Sequence, residues 1–179
     1  MISLNDTFIF KKLLGENIRS FRSTALDVSE YSIKSIEINM CIGFKKSHIL
    51  LMSDYKIGFF EDEDGNVFYD YTIESGSIVP TTIRSSVTFN TSEITKIEIF
   101  GRDFDAEKFK NYPKLYNKIK NEKKTDDIFL FNCKNNERIL VVFHPFMACI
   151  DVLYKQDQVD RFWNQYGSLY KLYHTINGN

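Results

Sequence analysis

The sequence predicts an α+β fold, with a mainly antiparallel β-sheet built from consecutive hairpins and helices at the start, the middle and the end of the chain. Runs of β-branched and aromatic residues alternate with short polar turns, and helical spacing of apolar residues is confined to three segments. The chain has 179 residues, 43% of them hydrophobic, and no long linker or internal repeat divides it. We therefore expect a single domain spanning residues 1–179 with a sizeable buried core.

Three helices are predicted in chain order. A short N-terminal helix, capped by Asn5 or Asp6 and ended by Gly15, is expected to bury Phe8, Ile9, Leu13 and Leu14. A central Lys-rich helix opens at Pro113, because the first turn of a helix needs no amide donor. A C-terminal amphipathic helix has Asp157 as its N-cap, and its apolar stripe consists of Val159, Phe162, Trp163, Tyr166, Tyr170 and Tyr173.

Strands are predicted between these helices. Strict alternation of apolar and polar residues over Ile36–Phe44 is typical of a half-buried strand, and residues 48–53 are its expected hairpin partner. A second ribbon joins residues 55–60 to residues 66–73. The other predicted strands cover residues 83–90, 94–100 (ended by Gly101), 128–133, 138–144 (after a polar turn at 134–137) and 147–154.

The sequence contains no recognisable catalytic or metal-binding motif. The three cysteines, Cys41, Cys133 and Cys149, are odd in number and widely spaced, which indicates buried free thiols rather than a disulfide framework. Neither the cysteines nor the histidines have zinc-ligand spacing, and a capping or surface role is expected for His144 at a strand end. The N-terminus lacks a signal-peptide pattern and no apolar run could cross a bilayer. We expect a cytoplasmic monomer without membrane contact, cofactor, metal or catalytic residue, and an enzyme remains an alternative.

An acidic stretch between two predicted strands is the main candidate binding site. Residues 54–74 contain seven acids and one lysine, a local charge of −6. Asp-Gly supplies the backbone conformations of a tight hairpin turn, so the acids are expected at the tip of the ribbon. A cationic protein is the matching partner, because complementary charge speeds association. The expected partner-binding residues are Phe60, Glu61, Asp62, Glu63, Asp64, Tyr69, Asp70 and Tyr71.

A basic stretch further along the chain is the alternative site. Residues 108–124 contain seven lysines and one glutamate, a local charge of +6. Such a patch suits nucleic acid or another anionic ligand, although the overall pI of about 6.3 and the acidic stretch disfavour nucleic acid. The residues of this alternative patch are Lys110, Lys114, Lys118, Lys123 and Lys124.

Two local patterns support a family comparison. The segments Leu14-Gly15-Glu16-Asn17-Ile18 and Ile94-Thr95-Lys96-Ile97-Glu98-Ile99-Phe100-Gly101, within a hairpin-rich chain that has an acidic face, resemble those of bacterial immunity proteins of contact-dependent growth inhibition and related polymorphic toxin systems. The resemblance concerns general form and carries no diagnostic motif. It implies a protein that binds a cognate toxin domain and blocks it, and a cationic nuclease toxin would suit the acidic ribbon.

Overall fold

The structure is a computed structural model that describes most of the chain. The described residues are 4–30, 32–35, 39–45, 47–52, 59–61, 67–69, 72–76, 84–102, 107, 110–111, 113, 116–117, 128–144 and 149–178. Only the backbone is considered at residues 4–6, 39, 50–52, 59–61, 67–69 and 72.

Two α-helices and fourteen strands have both ends within the described residues, and Gly167–Leu169 forms a short 3₁₀ helix. The helices are α1 (Leu4–Lys11) and α2 (Gln156–Tyr166). The strands are β1 (Ile18–Ser23), β2 (Leu26–Val28), β3 (Ser32–Ser35), β4 (Asn39–Phe44), β5 (His48–Met52), β6 (Phe59–Glu61), β7 (Val67–Tyr69), β8 (Thr72–Gly76), β9 (Ser85–Thr88), β10 (Ile94–Gly101), β11 (Ile128–Cys133), β12 (Arg138–His144), β13 (Cys149–Leu153) and β14 (Lys171–Asn177). These elements confirm an α+β fold with mainly antiparallel sheets.

The strands form two large sheets and one small ribbon. The five-stranded sheet has the order β8-β5-β4-β1-β9, the seven-stranded sheet has the order β14-β10-β11-β12-β13-β3-β2, and β6 pairs with β7. Every pairing is antiparallel. Because neighbours alternate in direction, β13 and β14 run parallel, and α2 is the crossover that joins them.

The main core lies between the two large sheets. Phe44 of β4 and Phe131 of β11 belong to different sheets, and their ring centroids are 6.5 Å apart. Helix α1 adds Phe10, whose ring centroid lies 5.0 Å from that of Phe129. Buried side chains from both sheets and from α1 thus form one apolar cluster, and its burial is the principal stabilising contribution.

Helix α2 covers the opposite face of the seven-stranded sheet. Val159 is fully buried against Leu140 and Val142 of β12. The Trp163 and Phe100 ring centroids lie 4.7 Å apart. The central strands β11 and β12 are therefore buried on both faces, which explains why they are nearly continuous apolar runs.

Several predicted elements are confirmed. The β4–β5 hairpin is present, β10 ends at Gly101, and β11 and β12 occupy their predicted positions. The second ribbon is present over Phe59–Glu61 and Val67–Tyr69, but Thr72 and Ile73, which were predicted to belong to it, lie in β8 and pair with β5 instead. The turn between β11 and β12 has Asn135 and Asn136 at φ 62° and 61°, the left-handed values of a type I′ turn.

The predicted N-terminal helix and the burial of Leu13 are confirmed, but the predicted N-cap and the predicted burial of Phe8 were wrong. The helix already includes Leu4, so Asn5 and Asp6 lie inside it and are not its N-cap. Phe10 and Leu13 are buried, whereas Phe8 is 60% exposed. Each helical residue rotates the side chain by about 100°, so Phe8 and Phe10 point in different directions. The Lys12 ammonium lies 4.5 Å from the centroid of the Phe8 ring.

The predicted C-terminal helix is confirmed over only part of its length. Lys155 is its N-cap, Asp157 lies in its first turn, and the helix ends at Gly167. Tyr170 and Tyr173 therefore do not belong to the helical stripe. The chain instead continues into β14, which pairs with β10 from Gly101↔Lys171 to Lys96↔Asn177.

The strand predicted over Ile36–Phe44 is confirmed over Asn39–Phe44, where Met40, Ile42 and Phe44 are buried in the main core as the alternation predicts. Residues 36–38 are outside the described residues, and the strand on their N-terminal side, β3, belongs to the other large sheet. Cys41 is a free and fully buried thiol, as the sequence predicts, and Cys133 and Cys149 are buried free thiols as well. The central Lys-rich helix is not shown, because most of its residues lie outside the described part of the chain.

The β11–β12 turn gives a stability prediction. Replacing Asn136 with Gly should keep or raise the free energy of unfolding by up to about 1 kcal/mol, because glycine adopts positive φ without strain. Replacing Asn136 with Val should lower it by about 1 kcal/mol or more. Urea unfolding of the two variants measures both effects, and a valine variant as stable as the wild type would contradict the turn assignment.

Candidate functional site

The acidic ribbon is described only along its two strands. Phe60 and Glu61 lie in β6 opposite Phe68 and Val67, and Tyr69 lies in β7 opposite Phe59. The remaining predicted partner-binding residues, Asp62, Glu63, Asp64, Asp70 and Tyr71, lie outside the described residues. Among the described strands, β6 and β7 pair only with each other, so this ribbon is separate from both large sheets.

The alternative basic patch is described at one of its five residues. Lys110 is exposed, and its amide donates to the Glu107 carbonyl at 3.3 Å. Lys114, Lys118, Lys123 and Lys124 lie outside the described residues.

A cleft of about 250 Å³ lies beside the β11–β12 turn. Phe89, Ile139 and Tyr154 supply its apolar lining, and Arg138 and Glu137 supply its charged groups. The Phe89 and Tyr154 rings meet edge to face with centroids 5.1 Å apart. The cleft is large enough for a small molecule, so the state of its charged groups decides what it can bind.

Both charged groups of the cleft have partners within the chain. Arg138 donates from Nε to Gln156 Oε1 at 3.2 Å and from Nη2 to the Asp160 carboxylate. Glu137 Oε2 accepts hydrogen bonds from the Ser92 amide and hydroxyl, both at 2.7 Å. These bonds connect the β11–β12 turn to the loop before β10, which contains Ser92, and to α2. Their role is structural.

His144 forms a pair with a carboxylate at the end of β12. Its Nε2 lies 2.9 Å from Asp151 Oδ2, and Cys149 is its register partner in β13. A cysteine, a histidine and an aspartate thus occur close together in two strands. Burial raises the pKa of the Cys149 thiol, with Lys34 lowering it and Asp151 raising it. A thiol held in its protonated form is a poor nucleophile.

The outer face of the five-stranded sheet carries a cluster of polar side chains. Register places Ser20 opposite Thr88 and Gly43, and Arg22 opposite Ser86 and Cys41. Phe21, between them in β1, belongs to the main core, so Ser20 and Arg22 face away from the seven-stranded sheet. This cluster was not predicted, because no strand was expected at residues 18–23.

Two polar atoms of this cluster are buried without partners. Among the described residues, neither the Ser20 hydroxyl nor Arg22 Nε has a hydrogen-bond partner. A Cβ atom on Gly43 would lie 2.4 Å from Ser20 Oγ, so glycine is what leaves room for the hydroxyl. Burial raises the pKa of the Cys41 thiol, and the Arg22 guanidinium only partly offsets this.

Comparison with known proteins gives no further guidance. No match was found among protein-family models, curated proteins or solved structures. In the described part of the chain, no helix has the length and apolar character needed to span a bilayer. Searching those same residues, we find no group of three or more His, Cys, Asp or Glu side chains that could hold a metal ion.

Cys133 gives a prediction about pH. Burial raises the pKa of its thiol from 9.0 to about 11, against a lowering hydrogen bond with Thr91. Above pH 9 the unfolded chain loses this proton while the folded chain keeps it, so the free energy of unfolding should fall as pH rises from about 9 towards 11. The contribution of this thiol is at most about 2–3 kcal/mol.

The measurement is urea unfolding of the wild type and Cys133→Ala across that pH range. The variant should lose stability less steeply with pH than the wild type. Val142→Ala is the control, because it truncates a buried side chain without removing a titrating group and should shift the curve equally at every pH. Parallel curves for wild type and Cys133→Ala would contradict the prediction.

Proposed function

We propose that this protein is a non-catalytic protein-binding domain, an immunity protein that neutralises a cationic toxin domain through its acidic ribbon. One observation supports the proposal: β6 and β7 pair with each other and, among the described strands, with no strand of either large sheet. Glu61 is the last residue of β6, and the acids 62–64 follow it directly in the sequence. Glu61 thus belongs to a strand pair that, among the described strands, is not hydrogen-bonded to either large sheet.

The charge of this segment matches the proposed partner. A local charge of −6 over residues 54–74 attracts a basic surface over a distance set by ionic strength. Such steering raises the association rate and discriminates against acidic proteins. Aromatic residues flank the acids in the sequence, among them Phe60 and Tyr69, and aromatic side chains are frequent anchors in protein interfaces.

The test reverses two ribbon charges and compares the result with a matched reversal elsewhere. Asp62→Lys with Glu63→Lys should slow association with the toxin domain encoded by a neighbouring gene about tenfold at low salt, and should reduce the salt dependence of the rate. The control is Asp27→Lys with Glu30→Lys, which changes the same residue types at exposed positions. Stopped-flow kinetics measures the rates, and co-expression measures protection of growing cells.

Equal association rates for the ribbon and control variants would remove the acidic ribbon from the proposal. Binding that survives the ribbon reversal but is lost when Lys114, Lys118, Lys123 and Lys124 become Gln would instead favour the basic patch. Failure of the wild type to protect cells from the neighbouring toxin would contradict the immunity function itself.

A further inference from the structure

We propose that the outer face of the five-stranded sheet binds an oxyanion, the phosphate or carboxylate group of a small ligand, through Arg22 and Ser20. This site is separate from the acidic ribbon and does not depend on the protein-binding function. It uses strands β1, β4 and β9, which the structure describes in full apart from the Asn39 side chain.

The burial and hydrogen bonding of the two donors, the Ser20 hydroxyl and Arg22 Nε, favour a bound acceptor. Ser20 is 6% exposed and its hydroxyl has no partner among the described residues, and Arg22 Nε is buried without one. A buried donor that has lost water without gaining an acceptor is destabilising. Native proteins rarely keep such groups unless an ion, a water molecule or a ligand supplies the acceptor.

The positive charge of Arg22 also favours a bound anion. No ion pair of the described residues includes Arg22. Along the sheet, register leads from Arg22 to Cys41, then to Leu50, and then to Glu74 on β8. Three strand spacings of about 4.8 Å separate the backbones of Arg22 and Glu74 by about 14 Å, and the described residues show no ion pair between the two side chains. An external anion would therefore supply the missing negative charge.

The side chains on the outer face of the five-stranded sheet also favour a ligand beside Ser20 and Arg22. Gly43 has no side chain, and this leaves room beside it for the buried Ser20 hydroxyl. Ser86 and Thr88 lie opposite Arg22 and Ser20 in the edge strand β9, and both are exposed. A ligand can thus reach the buried donors from the β9 side, where two more hydroxyls are available. Guanidinium and hydroxyl groups together are typical of phosphate and carboxylate recognition.

The cleft beside the β11–β12 turn carries no such inference, because the side chains of Arg138 and Glu137 are already bonded to other residues of the chain. The His144–Asp151 pair is likewise internally satisfied. The Ser20–Arg22 cluster is different because two of its buried donors, Ser20 Oγ and Arg22 Nε, have no acceptor in the part of the chain that the structure describes.

The experiment titrates the purified full-length protein with inorganic phosphate and, separately, with acetate, each against sodium chloride of equal ionic strength. Amide chemical shifts are the first readout, and we expect the largest changes at residues 20–22 and 86–88. Saturable changes with phosphate but not acetate would assign a phosphate group, and the reverse would assign a carboxylate. No saturable change at these residues with either anion would overturn the proposal.

Variants provide the second readout. Arg22→Gln should weaken binding of the anion about tenfold or more, as expected for loss of a charged hydrogen-bond donor, and Ser20→Ala should weaken it less. Arg161→Gln is the matched control, since it removes one exposed positive charge on α2 and should leave the affinity unchanged. Equal weakening by Arg22→Gln and Arg161→Gln would show a general charge effect and overturn the site. Should Arg22→Gln not fold, Ser20→Ala and the wild-type shift map decide between the same outcomes.

Discussion

Burial of both faces of β11 and β12 is the constraint on which the rest of the fold depends. A strand pair that is apolar on both sides needs a covering layer on each side, because either face left in water would cost the apolar burial that stabilises the sheet. The five-stranded sheet and α1 cover one face, where Phe10 meets Phe129 and Phe131. Helix α2 covers the other face through Val159 and Trp163. The crossover from β13 to β14 follows, since the chain must traverse that face to bring α2 over it.

This arrangement separates the core from the elements available for binding. The apolar faces of the large sheets are used against each other and against α2, so the described elements left for partners are edges, loops and the part of the five-stranded sheet next to its edge strand β9. The β6–β7 ribbon is one such element, and the Ser20–Arg22 cluster is another. The two differ in charge, which suits them to different ligands: a basic protein for the acidic ribbon and a small oxyanion for the arginine. Burial raises the pKa values of the thiols of Cys41, Cys133 and Cys149. These cysteines therefore contribute to packing and are poor nucleophiles.

Sequence reasoning succeeded where the signal was local and failed where pairing between distant segments decided the structure. Strands β11 and β12 were predictable because their apolar runs flank a short polar turn. Strand β1 was missed because four of the six residues of Ile18–Ser23 are polar and a register shift between Ile18 and Ser20 interrupts its alternation. Strand β14 was missed because Tyr170 and Tyr173 continue the helical spacing of α2, and only the edge of β10 makes that segment a strand. The Ser20–Arg22 cluster depends on register with β4 and β9, which no local pattern encodes.

Native-state hydrogen exchange tests the central constraint most directly. If two-sided burial of β11 and β12 organises the fold, the amides of residues 129–132 and 139–143 should exchange only through global unfolding and be the most protected in the protein. Residues 85–88 of the edge strand β9 should exchange through smaller openings. Exchange of the β11 and β12 amides as fast as those of β9 would contradict the account, because the covered strands would then not be its most stable element.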